Sequence, residues 1–263
     1  MQLAGPGYSP LPSQAARRIV HRGGRAIGVE IGDRIIRARH IVVCAGVIET
    51  VRLLWASGLA RELPGLGRGI AHHPVAVAQV AIPAETWSRM AEEPDIDRPA
   101  AVREFPAADG AHTLIIAEPP WMADGRAGGR ATLSIYAYTT LDDDPNRRVS
   151  FDPPCFDVPR TAAETRCEER ALSNAKAWAE RLGPILPSGR PRVLPRGADQ
   201  HLVGGARIGD TDDPLAVADG NGRLRSLENV WIAGAAALPT PVTTHPTQRI
   251  VALAARTGAL LRG

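Results

Sequence analysis

Two segments far apart in the chain each join a short β-branched strand to an amphipathic helix, and this pairing constrains the fold most. The first runs from Ile41 to Gly58 and the second from Asn229 to Leu261. A continuous β-branched run such as Ile41–Ala45 is typical of a parallel strand that is covered on both faces. Between the two segments, Gly and Pro residues separate short strand candidates that look antiparallel. The sequence therefore predicts an α/β domain that is interrupted by a second domain.

Individual elements follow from periodicity and from turn residues. Two extended runs joined through Gly23-Gly24 predict a hairpin, because these glycines supply the positive φ of a tight turn. Helical spacing predicts helices over Val47–Gly58, Thr161–Leu182 and Pro246–Leu261, with Pro246 in the first helical position that proline favours. The remaining strand candidates are short and bounded by Gly or Pro, and they are Val75–Ile82, His112–Ala117, Ala131–Thr139 and Asn229–Gly234.

Composition excludes several classes of protein. The chain has 263 residues, of which 44% are apolar, and a net charge of +3, so it can bury enough surface to offset its ordering entropy. Its basic residues are scattered arginines with the single lysine Lys176, and they form no stripe for nucleic acid. No apolar run reaches the roughly 18 residues of a membrane-spanning helix. Because Met1–Arg18 has no apolar signal core, we expect a cytoplasmic protein without nucleic-acid or membrane partners.

Cysteine and histidine spacing predicts no metal centre. The three cysteines, Cys44, Cys155 and Cys167, form no C-x-x-C motif and cannot all pair. Their number therefore predicts reduced thiols rather than a disulfide scaffold or a zinc site. His72 and His73 are adjacent, so on a strand they would face opposite ways and make a poor metal pair.

Several segments, in chain order, resemble the signatures of the glucose–methanol–choline (GMC) flavin oxidoreductases. They are Val42–Gly58, Gly65–Arg68, His73-Pro74, Asp144–Val149, Val158–Arg160, His201–Gly209, Asn229–Gly234, Pro239-Thr240 and His245–Thr247. The match is collinear from about Ala26 onward, which is far more specific than any single motif. Within the family the chain looks most like the branch of pyranose oxidases and C-glycoside oxidases. It departs from the usual signature at Gly205, where the family has Thr, and at Ile208, where it has Met.

The resemblance implies both a fold and a reaction. The fold is an incomplete FAD-binding doubly wound domain, residues 1–74 and 197–263, interrupted by an antiparallel-sheet substrate domain, residues 75–196. The reaction is oxidation of a sugar, glycoside or other alcohol to a carbonyl, which needs a base for the hydroxyl proton and an acceptor for the hydride. His201 matches the family's catalytic histidine. His245 matches a second position, which hydrogen-bonds the same substrate oxygen.

The same resemblance implies which residues face the FAD. Ala45-Gly46 and Gly234-Ala235 lie at the predicted ends of parallel strands, where small residues let the backbone approach a ligand closely. Pro246 and Thr247 begin the last helix, whose unpaired N–H groups would stabilise negative charge on the reduced flavin. If Pro246 is the first helical residue, His245 lies at the N-cap, where the helix dipole disfavours an imidazolium.

The family's N-terminal βαβ unit, with its G-x-G-x-x-G loop, has no match in the sequence. Gly65–Gly69 is no substitute, because no strand precedes it and its third glycine comes one position early. This chain alone is therefore not expected to bind FAD, and the sheet edge that the unit would cover should be exposed.

Three hypotheses follow from the absent unit. In the first, a separate N-terminal FAD-binding polypeptide completes the flavin site, which makes the enzyme a heteromer. In the second, a flavin-free enzyme uses His201 and His245 for cyclisation, isomerisation or elimination. In the third, the chain is a non-catalytic partner subunit.

Overall fold

The computed structural model describes residues 9–86, 101–106, 111–118, 131–141, 144–198, 201–239 and 246–262. The strands in these ranges are β1 Ala16–Arg22, β2 Arg25–Ile31, β3 Arg34–Arg37, β4 Ile41–Val43, β5 Val75–Ile82, β6 Ala101–Pro106, β7 His112–Glu118, β8 Ala131–Tyr138, β9 Arg148–Phe151, β10 Pro154–Asp157, β11 Arg192–Val193 and β12 Val230–Ile232. The helices are α1 Gly46–Ala56, α2 Ala162–Leu182 and α3 Thr247–Leu260. Short 3₁₀ turns lie at Leu59–Arg61, Pro187–Gly189 and Ala235–Ala237. No helix within the described ranges has the length and apolarity to cross a membrane.

A three-stranded antiparallel sheet begins the described chain. β1 and β2 form the predicted hairpin, in which Gly23 and Gly24 have φ of +57° and +74°. β3 pairs with β2 and was not predicted as a separate strand. The buried side chain of Asn229 ties this sheet to β12, because its Oδ1 accepts from the Ala26 amide at 2.8 Å and its Nδ2 donates to the Ala26 and Arg39 carbonyls at 3.0 and 2.8 Å.

β4 and β12 form a parallel pair, with Ile41 opposite Val230 and Val43 opposite Ile232. Ile41 and Val43 are buried beside α1, whereas Val42 between them is 42% exposed. Alternate side chains of a strand point to opposite faces, so only one face of β4 is covered by described residues. The expectation that this strand is covered on both faces is therefore wrong within the described chain.

Between β4 and β12 in the chain lie the strands of a five-stranded antiparallel sheet, in the order β11-β5-β8-β7-β6. Helix α2 covers one face and begins where predicted, since the Thr161 side chain accepts from the Glu164 amide at 3.2 Å. The alanines that α2 turns toward the sheet are fully buried, and their small size lets the helix approach closely: Ala171, Ala175 and Ala179. This sheet and α2 form a core of their own.

The hairpin of β9 and β10, which the turn signals did not predict, packs on the core around α1, β4 and β12. Val149 of β9 lies in the cluster formed around α1, β4 and β12. Its carbonyl would lie 2.1 Å from a Cβ at Gly67, which has φ +80°, so this approach requires glycine at that position. The Val149 amide also donates to the Gly67 carbonyl at 2.8 Å. β9 therefore packs with α1, β4 and β12 rather than with the five-stranded sheet. The domain boundaries at 74 and 197 stay a prediction.

Candidate active site around His201

The segment that carries His201 is held by backbone hydrogen bonds on both sides. On one side, Ala71 and Val203 exchange both backbone hydrogen bonds, at 3.0 and 2.9 Å. On the other, the amides of Gly204 and Ala206 donate to the carbonyls of Ala235 and Ala236, at 3.1 and 3.0 Å. Because Ala235 directly follows Gly234, this second set of bonds joins the His201 segment to the carboxyl end of β12.

Gly204 is the residue that permits this close packing. It has φ +85°, and a Cβ there would lie 2.1 Å from the Gly69 carbonyl oxygen. Gly205 has φ +84°, so the Thr that the family usually carries would be strained in this backbone conformation. The departure at Gly205 therefore matches the local geometry.

His201 faces His73, and the strand register explains why. Ala71 and Val203 are opposite each other in an antiparallel bridge, so residues two further along in opposite directions are also opposite. Those residues are His73 and His201. His73 Nε2 and His201 Nδ1 are 2.9 Å apart and the rings are nearly perpendicular, at 89°. His73 is 2% exposed, whereas His201 is half-buried.

Tyr138 and Tyr136 form an aromatic row that leads to this pair. On β8, Ile135 and Ala137 lie under α2, so the two tyrosines face the other side of the sheet. The Tyr138 ring centroid is 4.7 Å from that of His73 and 6.3 Å from that of His201. Tyr136 stacks beside Tyr138, with centroids 6.5 Å apart, and lines a cavity of about 160 Å³. Polar groups of the same cavity come from Gln79 and Ser134, whose side chains hydrogen-bond at 3.1 Å.

His72 contacts a different set of residues. Its Nε2 lies 3.0 Å from Oε1 of Glu164, a side chain that is 0% exposed. Arg196 donates to both oxygens of the same carboxylate, at 2.7 and 3.3 Å. The two adjacent histidines thus contact separate partners. Within the described ranges, no group of three or more His, Cys, Asp or Glu residues could hold a metal ion.

Four of the residues predicted to face the flavin lie at one end of the parallel pair. Ala45 and Gly46 follow β4 and are exposed, whereas Gly234 and Ala235, after β12, are buried and half-buried. The two strand ends touch, because the Ala233 amide donates to the Val43 carbonyl at 3.0 Å. A Cβ at Gly46 would meet no atom within 4 Å. The exposed Ala45-Gly46 backbone at the carboxyl end of β4 fits the approach of one side of a flavin.

The start of α3 differs from the prediction by one residue. Pro246 is the N-cap and Thr247 is the first helical residue, because the Pro246 carbonyl accepts the first helical bond from the Ile250 amide at 3.0 Å. His245 therefore precedes the N-cap. Ile250 packs against Leu238 and the Val203 cluster, which brings the first turn of α3 to the His201 segment. His245 itself lies outside the described residues, so its convergence with His201 stays a prediction.

His73 and Tyr138 are the site residues that sequence reasoning missed. His73 belongs to a recognised signature segment, but its contact with His201 depends on a strand register between residues far apart in the chain. Tyr138 ends the strand predicted at Ala131–Thr139 and pairs with Val75. The alternation along β8 was visible in the sequence, whereas the face that would meet His201 was not.

Comparisons with known proteins identify the family. Two GMC oxidoreductase family models match the chain, the N-terminal one over residues 6–75 and the C-terminal one over residues 138–254. The chain is 23% identical to a pyranose 2-oxidase of Tricholoma matsutake over 84% of its length, and 27% identical to a C-glycoside 3-oxidase of Arthrobacter globiformis over 95%. It spans about half the length of these curated relatives, 46% and 52% respectively.

Solved structures show the same fold at low sequence identity. A pyridoxine 4-oxidase from Mesorbium loti superposes with a TM-score of 0.60 at 19% identity, covering 94% of this chain and 57% of that one. A formate oxidase from Aspergillus oryzae superposes with a TM-score of 0.65 at 11% identity, covering 96% and 60%. The predicted α/β fold is confirmed. The two family models, which match residues 6–75 and 138–254, show that the chain belongs to the GMC oxidoreductase family.

Proposed function

We propose that this chain is the substrate-side part of an enzyme that oxidises a sugar- or glycoside-type alcohol to a carbonyl, with FAD held jointly with a separate N-terminal FAD-binding polypeptide. One observation carries the proposal. The His201 segment is hydrogen-bonded directly to Ala235 and Ala236, just after β12, and the end of β12 is hydrogen-bonded to the end of β4, where Ala45 and Gly46 are exposed. A candidate base and a candidate flavin-facing surface therefore belong to one rigid unit.

The chemistry divides between this chain and the cofactor. When bound, FAD supplies the acceptor for the hydride that leaves the carbinol carbon. The proton of the hydroxyl group goes to His201, whose Nε2 is the ring nitrogen that does not face His73. His245 is the proposed second group on the same oxygen. The Tyr138 and Tyr136 rings supply an apolar wall, and the nearby polar groups supply orientation, as in most small-molecule sites.

Exposed apolar side chains and an open strand edge support a partner. Val42 on β4 is exposed, and so are Val251 and Leu260 on α3. The outer edge of β12 is hydrogen-bonded to Gly222 and Leu224, whereas no other described strand pairs with the outer edge of β4. An N-terminal βαβ unit of the family type would cover that edge. The similarity to a pyranose 2-oxidase and to C-glycoside 3-oxidases supports a sugar or glycoside as the substrate class.

Co-purification tests the partner directly. A neighbouring reading frame that encodes a short G-x-G-x-x-G protein would be co-expressed with this chain. We expect a stable complex with the visible absorbance of oxidised flavin. When sugars are added one at a time in the absence of oxygen, a substrate among them should bleach this absorbance. If no stable complex forms with that neighbour and no flavin is bound, the proposal is refuted. Coding sequence in frame upstream of Met1 would place both parts in one polypeptide and overturn the separate partner alone.

One alternative has an observation of its own. The His73–His201 pair assembles from this chain only, and acid–base chemistry such as isomerisation needs no flavin. Turnover by the isolated chain, without FAD or any electron acceptor, would favour this flavin-free enzyme. An active complex that is indifferent to replacement of His201 would favour a non-catalytic partner subunit.

A further inference from the structure

We infer that His73 is a positioning residue that sets the tautomer of His201. It accepts the proton on His201 Nδ1 and thereby keeps Nε2 of His201 as a bare nitrogen. The pairing itself comes from the geometry alone. The choice of His201 as the donor, and its use for proton abstraction from an alcohol, rest on the proposed function.

The position of His73 is fixed on three sides. Two residues before it, Ala71 forms the double hydrogen bond with Val203 that places the two imidazoles opposite each other. After it, the Pro74 carbonyl accepts from the Thr139 amide at 3.2 Å, next to the Tyr138 ring that packs on His73. Before it, His72 is tied to the buried Glu164 carboxylate. Since His73 is 2% exposed, its ring has little room to rotate away.

The tautomers of the pair have opposite consequences. A hydrogen bond between His73 Nε2 and His201 Nδ1 contains one proton, so one nitrogen donates and the other accepts. If His73 donates, neutral His201 carries its own proton on Nε2 and cannot take another from an alcohol there. If His201 donates, its Nε2 has a lone pair, and the hydrogen bond survives when Nε2 accepts a proton. In this second arrangement the ring proton of His73 sits on Nδ1.

The nature of the pairing makes substitutions informative. The Oε1 and Nε2 atoms of a glutamine extend about as far as the Nε2 of a histidine, whereas an asparagine side chain reaches only as far as Nδ1. His73→Gln therefore keeps an amide opposite His201 Nδ1 whose Oε1 can accept its proton, and His73→Leu removes that group at similar volume. His72→Gln is the matched control, because the adjacent histidine also uses Nε2 but contacts Glu164 rather than His201.

Nitrogen-15 NMR of histidine-labelled full chain tests the inference without any flavin or substrate. At neutral pH we expect a scalar coupling across the hydrogen bond between His73 Nε2 and His201 Nδ1. We also expect His201 to show a protonated Nδ1 and a bare Nε2. A protonated Nε2 on neutral His201, or no coupling between the two rings, would overturn the inference.

The variants separate positioning from simple structural support. In His73→Leu the coupling is absent and His201 should lose its preference for the Nδ1-protonated tautomer. His73→Gln should restore that tautomer, and His72→Gln should leave it unchanged. An unchanged His201 tautomer in folded His73→Leu would contradict the role of His73. If that variant does not fold, the wild-type coupling and the His73→Gln spectrum still decide the question.

Activity provides a separate reading. In a flavin-loaded complex, His73→Leu should lower kcat by about 10²–10⁴-fold, the range seen when a catalytic imidazole lacks its proton-transfer role or correct tautomer, with KM changed less. His73→Gln should recover most of the loss. An inactive wild-type complex whose NMR shows the coupling and tautomer would reject the proposed function and leave the positioning role standing. An active complex in which the coupling is absent would support the proposed function and reject the positioning role of His73.

Discussion

The two sheets of the molecule differ in how far they are covered. In the five-stranded sheet, β8 lies between β5 and β7, and every side chain of β8 except Tyr136 is buried. In the parallel pair, Val42 is exposed, and so are the three residues that follow β4. The first region completes its own core with α2. The second has a core on one face, whereas Val42 and Trp231 on the other face are exposed and half-buried, respectively.

This difference separates surface that maintains the fold from surface that serves a ligand or a partner. Alternation along β4 places Val43 in the core and Val42 outside it, only one residue apart. The open face adjoins the exposed Ala45-Gly46, two of the positions matched to the flavin. We therefore expect the covered and open surfaces to respond very differently to substitution.

The sharpest contrast is between adjacent residues of β4. Val43, which is 4% exposed, should not tolerate aspartate, and Val43→Asp should lower the free energy of unfolding by more than about 3 kcal/mol because it buries a charge. Val42→Asp should change it by no more than about 0.5 kcal/mol and should instead weaken assembly with the FAD-binding part. Urea denaturation and co-purification measure the two effects. Equal losses of stability would show that both faces of β4 are covered.

Helix α2 offers the corresponding test in the covered region. Ala175 is fully buried against the five-stranded sheet, so Ala175→Leu should cost about 1–3 kcal/mol through overpacking. Ala177 lies on the exposed side of the same helix, and Ala177→Leu should stay within about 0.5 kcal/mol. The comparison uses thermal or urea unfolding. A tolerated leucine at Ala175 would mean that this core is looser than the structure shows.

A smaller, pH-dependent effect is expected beside the His201 segment. Burial raises the pKa of Asp213, but hydrogen bonds from the Leu215 amide and Arg207 outweigh it, so the pKa is lowered overall. A lowered folded-state pKa stabilises the fold above the carboxyl group's ordinary pKa and loses that effect as pH falls through the lowered value. Because solvent screens this group, Asp213→Asn should cost about 0.5–1 kcal/mol at neutral pH.

Unfolding measured from neutral to acidic pH checks that expectation. The difference between Asp213→Asn and the parent chain should shrink as the pH falls. A difference that is constant across the range would mean that charge on Asp213 contributes nothing.

Local patterns predicted the elements whose signals are complete in the sequence. β5 spans Val75–Ile82 as predicted, and α2 spans Ala162–Leu182 where Thr161–Leu182 was predicted, because bounding prolines and helical periodicity are properties of neighbouring residues. The family signatures likewise indicated His201. These predictions needed no knowledge of distant contacts.

Features that depend on distant contacts were missed. The pairing of His73 with His201 follows from the Ala71–Val203 bridge, which no local pattern encodes. The exposure of Val42 was also hidden, because a β-branched run looks the same whether one or both of its faces are covered. Turn signals did not reveal the β9–β10 hairpin, whose position depends on the close approach of Val149 to Gly67.

The central claim is that His201 takes the proton of an alcohol beside a flavin that this chain only partly surrounds. Anaerobic mixing of the flavin-loaded complex with a panel of sugars and glycosides measures it most directly, through the rate at which flavin absorbance is lost. We expect rapid bleaching by at least one of them, a loss of about 10²–10⁴-fold in rate for His201→Asn, and no loss for His21→Gln on the remote N-terminal hairpin. Bleaching at the same rate in His201→Asn would show that His201 is not the base.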